Sequence, residues 1–156
     1  MSLDIIDLTE EDILAQALAN SRPDDKPYYY QYAILRTDIV METGKLLPQA
    51  GHAYTDALRS AEHHKPEVAQ AYRVWCNEHN DAYNGGAKVA MKAKNSNQLV
   101  KAYNLARKAG IPCAIVVDRG HIYPPHFNGQ LIITGLGIGP CTQEEAREIT
   151  KRFTCF

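Results

Sequence analysis

Three polar residues in the segment TGKLLPQAGHA, residues 43–53, have the types and spacing of a chemical site. Lys45, Gln49 and His52 follow one another by four and three residues, so a helix places all three on one face. A cation, an amide and an imidazole then point the same way. For His52 two interpretations stand side by side: a group that faces a substrate, or a helix histidine that hydrogen-bonds to the sheet.

A second pairing joins this segment to a distant one. Lys45 comes shortly after a predicted strand at residues 28–36, and Asp118 directly follows the apolar segment IPCAIVV. If these strands are parallel neighbours, both side chains emerge at one rim of the sheet, where open α/β sheets bind ligands. A lysine beside an aspartate there could polarise a carbonyl and activate a water molecule. An ordinary ion pair that closes a loop explains the spacing equally well.

The elements that must position these residues begin with four predicted strands. Aromatic and β-branched residues indicate a strand at 28–36, and strict alternation of lysines with apolar residues indicates another at 87–94. Apolar runs indicate two more, at 111–117 and 130–139. Because residues 111–117 are apolar on both faces, we predict that this strand is central and covered on both sides.

Helices are predicted between the strands. Capping residues place helix starts near Thr9, Asn95 and Thr142, and Pro66 begins another helix. The helix that carries Lys45 is predicted to run to about residue 60, with Pro48 tolerated only in its first turn. This alternation of strands and helices predicts an α/β sandwich.

Charge is unevenly distributed, although the net value is −1. Residues 1–27, read as an acidic helical extension and linker, carry seven acidic and two basic residues, whereas residues 28–156 have a balance of +4. Residues 82–117 contain no acidic side chain. This block could be the footprint of a polyanion, or a solvated face with an edge strand protected by lysines. Its basic residues are Lys88, Lys92, Lys94, Lys101, Arg107 and Lys108.

Composition excludes several other classes. A chain of 156 residues that is 45% hydrophobic is long enough for one domain with a core. No segment approaches the roughly 20 apolar residues of a membrane span, and the acidic N-terminus lacks the apolar part of a secretory signal. The four cysteines are scattered without a CxxC pair, which predicts reduced thiols, a cytoplasmic location and no metal site.

Several blocks, taken in order, resemble the type II peptidyl-tRNA hydrolases. They are RTDIVMETGKLLPQAGHA, AKVAMKAKNSNQLVKAYNLARKAGI, VVDRG and TGLGIGP. The family pattern they follow is an R-T/N-D strand exit, G-K-x-x-x-Q-x-x-H-A, a lysine-rich strand and helix, an Asp-x-Gly loop and T-x-L-G-I-G-P. The resemblance covers about residues 29–156, and residues 28–156 are expected to form the domain.

The resemblance implies a fold and an activity. The fold would be a three-layer α/β sandwich, with a mixed four-stranded sheet between helices, in a homodimer. The activity would be hydrolysis of the ester that joins a peptide to the 3′ end of tRNA, without a cofactor. No G-x-S-x-G nucleophile elbow is present, which agrees with attack by a positioned water.

The resemblance also assigns roles to residues. The family's functional lysine, aspartate and threonine fall on Lys45, Asp118 and Thr134, which are expected to be catalytic. Asp118 would take or orient the proton of the water, Lys45 would be the positive donor near the carbonyl or ribose, and Thr134 would hold a neighbouring group in place. The residues expected to bind substrate, the lysines through the tRNA backbone, are Gln49, His52, His121, Lys88, Lys92 and Lys101.

Three departures from the family pattern bear on catalysis. The family usually has Asp-Ala-Gly-Arg-Thr, whereas this chain has Asp118-Arg119-Gly120-His121-Ile122. Ile122 therefore stands where the family has a functional threonine. The segment YPPHFNGQ lengthens the following loop, and residues 1–27 and 76–83 are additions. Two functions therefore remain: an active hydrolase with a modified loop, or a diverged member that binds tRNA or a protein partner without catalysis.

Overall fold

The computed structural model describes residues 7–20, 27–80 and 85–156. Within them the α-helices are α1 (Glu10–Asn20), α2 (Thr43–His64), α3 (Pro66–Trp75), α4 (Ser96–Lys108) and α5 (Gln143–Thr150), and a π-helical turn, Cys76–Asn80, follows α3. The strands are β1 (Tyr30–Arg36), β2 (Ala87–Ala93), β3 (Cys113–Asp118), β4 (Ile122–Tyr123), β5 (Phe127–Asn128), β6 (Ile132–Cys141) and β7 (Thr154–Cys155).

The main sheet is mixed and has the strand order β3-β6-β1-β2-β7. Strands β1 and β2 are parallel, whereas β6 runs antiparallel to both of its neighbours. The resemblance implied four strands, and the short β7 adds a fifth beside β2. Strands β4 and β5 form a separate hairpin between β3 and β6.

Helices cover both faces of this sheet. Alternate residues of the strands, such as Ile34, Leu136 and Ile138, form a core with α4 and α5. The strand residues that point to the other face, such as Ala33 and Val116, pack against α2. The three-layer α/β sandwich expected from the resemblance is therefore confirmed.

The predicted helix starts are also confirmed. The Asn95 side chain accepts a hydrogen bond from Gln98 N, at 3.0 Å, at the start of α4. Thr142 and Glu145 form a reciprocal capping box at the start of α5. Because these signals depend on residues only three positions apart, they can be recognised without knowledge of the tertiary structure.

The prediction that the IPCAIVV strand is central was wrong. Strand β3 lies at the edge of the sheet and pairs only with β6. Strand β3 is apolar on both faces for another reason, which is that α2 and α4 pack against it from opposite sides. The interior strands on this side of the sheet are β6 and β1, and in β6 residues 134–141 are buried.

The expected position of Pro48 was wrong as well. Helix α2 begins at Thr43, where Lys45 N and Leu46 N both donate to Glu42 O at 2.8 Å. Pro48 therefore lies in the second turn and removes the hydrogen bond to the Gly44 carbonyl. Gly44 and Pro48 are both exposed, so water can satisfy that carbonyl.

Helix α2 approaches β6 unusually closely. A Cβ atom placed on Gly137 would lie 1.9 Å from the Ala53 carbonyl oxygen, so no larger residue fits there. The helix face toward the sheet is itself smooth, because it presents the fully buried Ala53, Ala57 and Ala61. Backbone-to-backbone packing thus sets the depth at which α2 lies.

Helix α1 exposes its apolar residues. Thr9 and Asp12 cap its start as predicted, with Asp12 N donating to Thr9 Oγ1 at 3.1 Å. Leu14 and Leu18 are 60% and 72% exposed, and Ile13 is exposed too. Within the described residues no helix is long and apolar enough to cross a membrane.

Candidate active site

Lys45 and Asp118 meet at the rim of the sheet. The Lys45 ammonium donates a hydrogen bond to Asp118 Oδ2 at 2.8 Å, and the two side chains are only 9% and 15% exposed. A cation and a carboxylate that are this shielded from water interact more strongly than a surface pair does. The pair therefore forms the polar centre of a site rather than a surface ion pair.

The topology explains why these two residues meet. Strands β1 and β3 are parallel, and the antiparallel β6 lies between them. They are not neighbours, as the sequence reasoning had supposed, but their carboxyl ends still share one rim. Asp118 has the same parity in β3 as Val116, which packs toward α2, and Lys45 lies in the first turn of α2.

His121 completes the hydrogen bonding of the lysine. Its Nδ1 atom lies 3.0 Å from Lys45 Nζ. An ammonium can only donate, so Nδ1 must be the acceptor and the ring hydrogen must lie on Nε2. The sequence placed His121 among the substrate-binding residues, and the structure brings it to the Lys45–Asp118 pair.

The sequence reasoning missed Phe127. The segment YPPHFNGQ folds into the β4–β5 hairpin, which buries the Phe127 ring beneath Lys45, with the ammonium 4.6 Å from the ring centre. The aromatic face attracts the charge of the lysine. The loop insertion thus contributes directly to the site. Its two aromatic residues, Tyr123 and Phe127, were the feature of the sequence that could have indicated this.

Thr134 and Gln49 form a second buried polar contact. Thr134 Oγ1 donates to Gln49 Oε1 at 2.5 Å, and Thr134 is completely buried. A β-bulge explains its direction: Val116 pairs with Gly135 and Val117 pairs with Ile133, so Thr134 is the extra residue of β6. The bulge turns the buried hydroxyl toward α2, where it bonds to Gln49 and also lies 3.4 Å from the Val116 carbonyl oxygen.

Two other residues near the site are exposed. His52 lies on the same helix as Lys45 and Gln49 but is solvent-exposed, so of the three only Lys45 and Gln49 are buried. Ile122, which stands where the family has a threonine, is 75% exposed and makes no part of the Lys45 cluster.

The structure separates the three lysines expected to contact tRNA. Lys88 pairs with Gln31 near the far end of the sheet from Asp118, and its ammonium donates to Gly85 O at 3.1 Å. Lys92 lies on the same sheet face, with its ammonium 5.5 Å from the centre of the Phe156 ring. Lys101 is on the exposed side of α4, in the helical layer on the opposite face. These lysines do not form one patch.

Comparison with known proteins identifies the relatives of this chain. A family model described as peptidyl-tRNA hydrolase PTH2 matches residues 29–156. The chain belongs to this family. It is 33% identical over 117 residues to a peptidyl-tRNA hydrolase of Methanocaldococcus jannaschii, an alignment that covers 75% of this chain and 90% of that protein.

Two further relatives of this PTH2 member carry the same kind of name. A peptidyl-tRNA hydrolase of Thermococcus sibiricus is 34% identical over 122 residues, covering 78% of this chain and 92% of the relative. A probable peptidyl-tRNA hydrolase 2 of Dictyostelium discoideum is 30% identical over 126 residues, covering 81% of this chain and 54% of that longer protein.

The polar groups of this PTH2 member suit an acyl-transfer reaction with water. One Asp118 oxygen is bonded to Lys45, which leaves the other able to accept a proton. The ammonium lies where it could stabilise negative charge on a carbonyl oxygen. Across residues 7–20, 27–80 and 85–156, no three His, Cys, Asp or Glu side chains converge as metal ligands would.

Proposed function

We propose that this chain hydrolyses the ester between a peptide, or an N-blocked amino acid, and the 3′ end of tRNA, releasing free tRNA. The observation that carries the proposal is the shielded Lys45–Asp118 pair at the sheet rim, with its 2.8 Å contact. Membership of the PTH2 family gives the reaction class. Ester hydrolysis needs a positioned water, a group that accepts its proton, and a donor for the oxyanion.

In this mechanism Asp118 orients the water and accepts its proton. As the water oxygen attacks the ester carbonyl, negative charge develops on the carbonyl oxygen beside the Lys45 ammonium. Because the pair is shielded from solvent, the lysine stabilises this charge more effectively than it would in bulk water. The intermediate then collapses, the bond between the acyl carbon and the ribose oxygen breaks, and the ribose oxygen takes the proton that Asp118 accepted from the water.

Other residues position the reacting groups. Thr134 fixes the Gln49 amide through the 2.5 Å hydrogen bond, and the amide then faces the substrate beside Lys45. His121 presents Nε2–H as a donor, and His52 binds substrate from the exposed side of α2. Nothing in the geometry favours the non-catalytic alternative, since Ile122 lies outside the Lys45 cluster.

The tRNA body binds along α2 and the neighbouring face of β2, where Lys92 and, less directly, Lys88 meet its phosphates. Lys101 lies in the other helical layer and is left out of this surface. We further propose that the domain of residues 28–156 acts as a homodimer in the cytoplasm, with residues 1–27 as a separate acidic extension.

The test is a single-turnover assay with N-acetyl-aminoacyl-tRNA and the purified full-length chain, which measures release of free tRNA. We expect hydrolysis well above the spontaneous rate at neutral pH. A chain that binds this tRNA but releases none of the amino acid would favour the binding module over the enzyme.

A further inference from the structure

A second polar cleft lies at the end of the sheet opposite the Lys45–Asp118 pair. It is about 310 Å³ in volume, and it opens between the C-terminal ends of α2 and α4 beside the start of β3. That volume is at the lower end of the range for small-ligand sites. Its lining carries three basic residues and no acidic one; the basic residues are His64, Lys65 and Arg107.

Lys65 and Arg107 are not neutralised. Among the residues that the structure describes, carboxylates pair with Arg36, Lys45, Arg73 and Lys151, and neither cleft cation has such a partner within 4.0 Å. The Arg107 guanidinium lies over the face of the Tyr103 ring, with the two centres 5.5 Å apart. Both cations are therefore available to a ligand.

Backbone donors satisfy carbonyls at both helix ends, most completely at the end of α4. Lys65 N donates to Ala61 O at the end of α2. At the end of α4, the Leu105, Ala106 and Arg107 carbonyls accept from the backbone N–H groups of residues 109–111. The backbone thus satisfies these carbonyls, and the partial negative charge of two helix ends offsets only part of the positive charge of the side chains.

The thiol in the lining adds no negative charge. Burial raises the pKa of the Cys113 thiol to about 11, with Arg107 acting in the opposite direction, so that the thiol is neutral at pH 7. The cleft therefore combines a guanidinium held on an aromatic ring, an ammonium and an exposed imidazole. This set matches a phosphate group, which a guanidinium binds through two parallel hydrogen bonds.

We propose that this cleft binds a phosphate group, and that in the protein's reaction the phosphate is one of the tRNA backbone, remote from the ester. Helix α2 joins the two sites, since Lys45 is in its first turn and His64 is its last residue. At 1.5 Å per residue they lie roughly 28 Å apart along the helix, so the tRNA arm would lie along α2. The tRNA part of the proposal rests on the proposed function, whereas phosphate binding does not.

The test compares the Lys65→Gln/Arg107→Gln variant with a control, Lys151→Gln/Arg152→Gln, which also loses one lysine and one arginine but at exposed positions outside the cleft. For N-acetyl-aminoacyl-tRNA we expect the cleft variant to raise KM on the order of 10-fold at low salt with kcat unchanged. The slope of log affinity against log salt should flatten by about two. The control should behave as wild type, and hydrolysis of a minimal ester, N-acetyl-aminoacyl-adenosine, should be equal in all three.

A second measurement separates the sources of the phosphate. AMP titrated into the wild-type protein, followed by NMR at the His64 and Tyr103 rings, reports binding of a free nucleotide. Saturable shifts that the cleft variant lacks, together with unchanged tRNA data, would assign the cleft to a mononucleotide. Unchanged tRNA affinity and salt slope together with no AMP-dependent shift would overturn the proposal.

Separate control measurements cover folding and catalysis. Melting temperature checks that the variants fold, and Arg107→Lys, which keeps the charge but loses the two-point contact, should recover part of the affinity. If the wild-type chain hydrolyses neither ester, the proposed function fails while the AMP titration still decides whether the cleft binds phosphate.

Discussion

The Lys45 ammonium lies 4.6 Å from the centre of the Phe127 ring, so an inserted hairpin and the first turn of α2 build one site. The ring is 1% exposed and also lies near the rings of His121 and Tyr123. The loop that departs most from the family pattern therefore supplies the surface on which the lysine rests. This relationship gives the insertion a physical role that length alone would not suggest.

Replacing Phe127 with leucine tests that role. The variant keeps an apolar side chain but loses the aromatic face, an attraction of about 2 kcal/mol for a desolvated cation. We expect kcat/KM for N-acetyl-aminoacyl-tRNA to fall by roughly threefold to tenfold. Tyr123→Leu, in the same hairpin but not against the lysine, is the matched control. Full activity in Phe127→Leu together with a loss in Tyr123→Leu would contradict the assignment.

The catalytic pair can be tested by removing each member. Lys45→Ala and Asp118→Asn should each lower the single-turnover rate by a factor on the order of 10² or more, because each removes a donor or a proton acceptor of the transition state. Asp38→Asn is the control, since Asp38 forms another 2.8 Å ion pair, with Arg36, near the end of β1. Wild-type turnover in either variant of the pair would remove that residue from the mechanism.

The Thr134–Gln49 contact predicts non-additive stability changes. Thr134→Val leaves the buried Gln49 oxygen without its donor, at a cost of about 1–3 kcal/mol in the free energy of unfolding. Gln49→Leu should have a comparable cost, and the double variant should lose less than the sum of the two. Urea unfolding of all four proteins measures this, and simple additivity would show that the two side chains do not interact.

Separation of the basic residues predicts unequal effects on tRNA binding. Lys92→Gln should lower the salt slope of binding by about one, because it removes one phosphate contact. Lys101→Gln carries the same charge change in the opposite helical layer and should leave the slope as in wild type. The measurement is fluorescence anisotropy with labelled tRNA from low to moderate salt. Equal effects of the two substitutions would point to a general attraction rather than a defined surface.

The acidic extension gives a prediction about stability. Two roles for α1 can be distinguished: its apolar residues add to the core, or the acidic helix competes with tRNA. Because Ile13, Leu14 and Leu18 are exposed, removal of residues 1–22 should leave the melting temperature nearly unchanged. It should tighten tRNA binding at low salt, where the acidic residues act over a longer range. A drop of several degrees would mean that the helix packs on the domain in solution.

The sequence allowed accurate prediction of features that depend on neighbouring positions. Asn95 and Thr142 mark helix starts because each bonds to a backbone N–H three residues ahead. The approach of Lys45 to Asp118 was predictable because both follow strands whose carboxyl ends share a rim.

Features that depend on pairing between distant strands were not predictable in this way. When helices cover both faces of a sheet, an edge strand such as β3 has the same apolar sequence pattern as a central strand. The direction of Thr134 depends on a bulge, and a bulge is visible only once β3 and β6 are in register. Phe127 reaches Lys45 because a hairpin folds back across the site.

The contact between α2 and β6 is flat. Glycine at position 137 and alanines on the helix provide no interlocking side chains, so this surface fixes the height of the helix but not its axial position. Two hydrogen bonds fix the axial position of the helix. Thr134 bonds to Gln49, and Gln31 Nε2 donates to the Tyr54 carbonyl oxygen at 2.9 Å. A displacement of one residue, about 1.5 Å, away from Asp118 would break the bond to Lys45. The alignment of Lys45 with Asp118 is therefore determined by hydrogen bonds further along the helix.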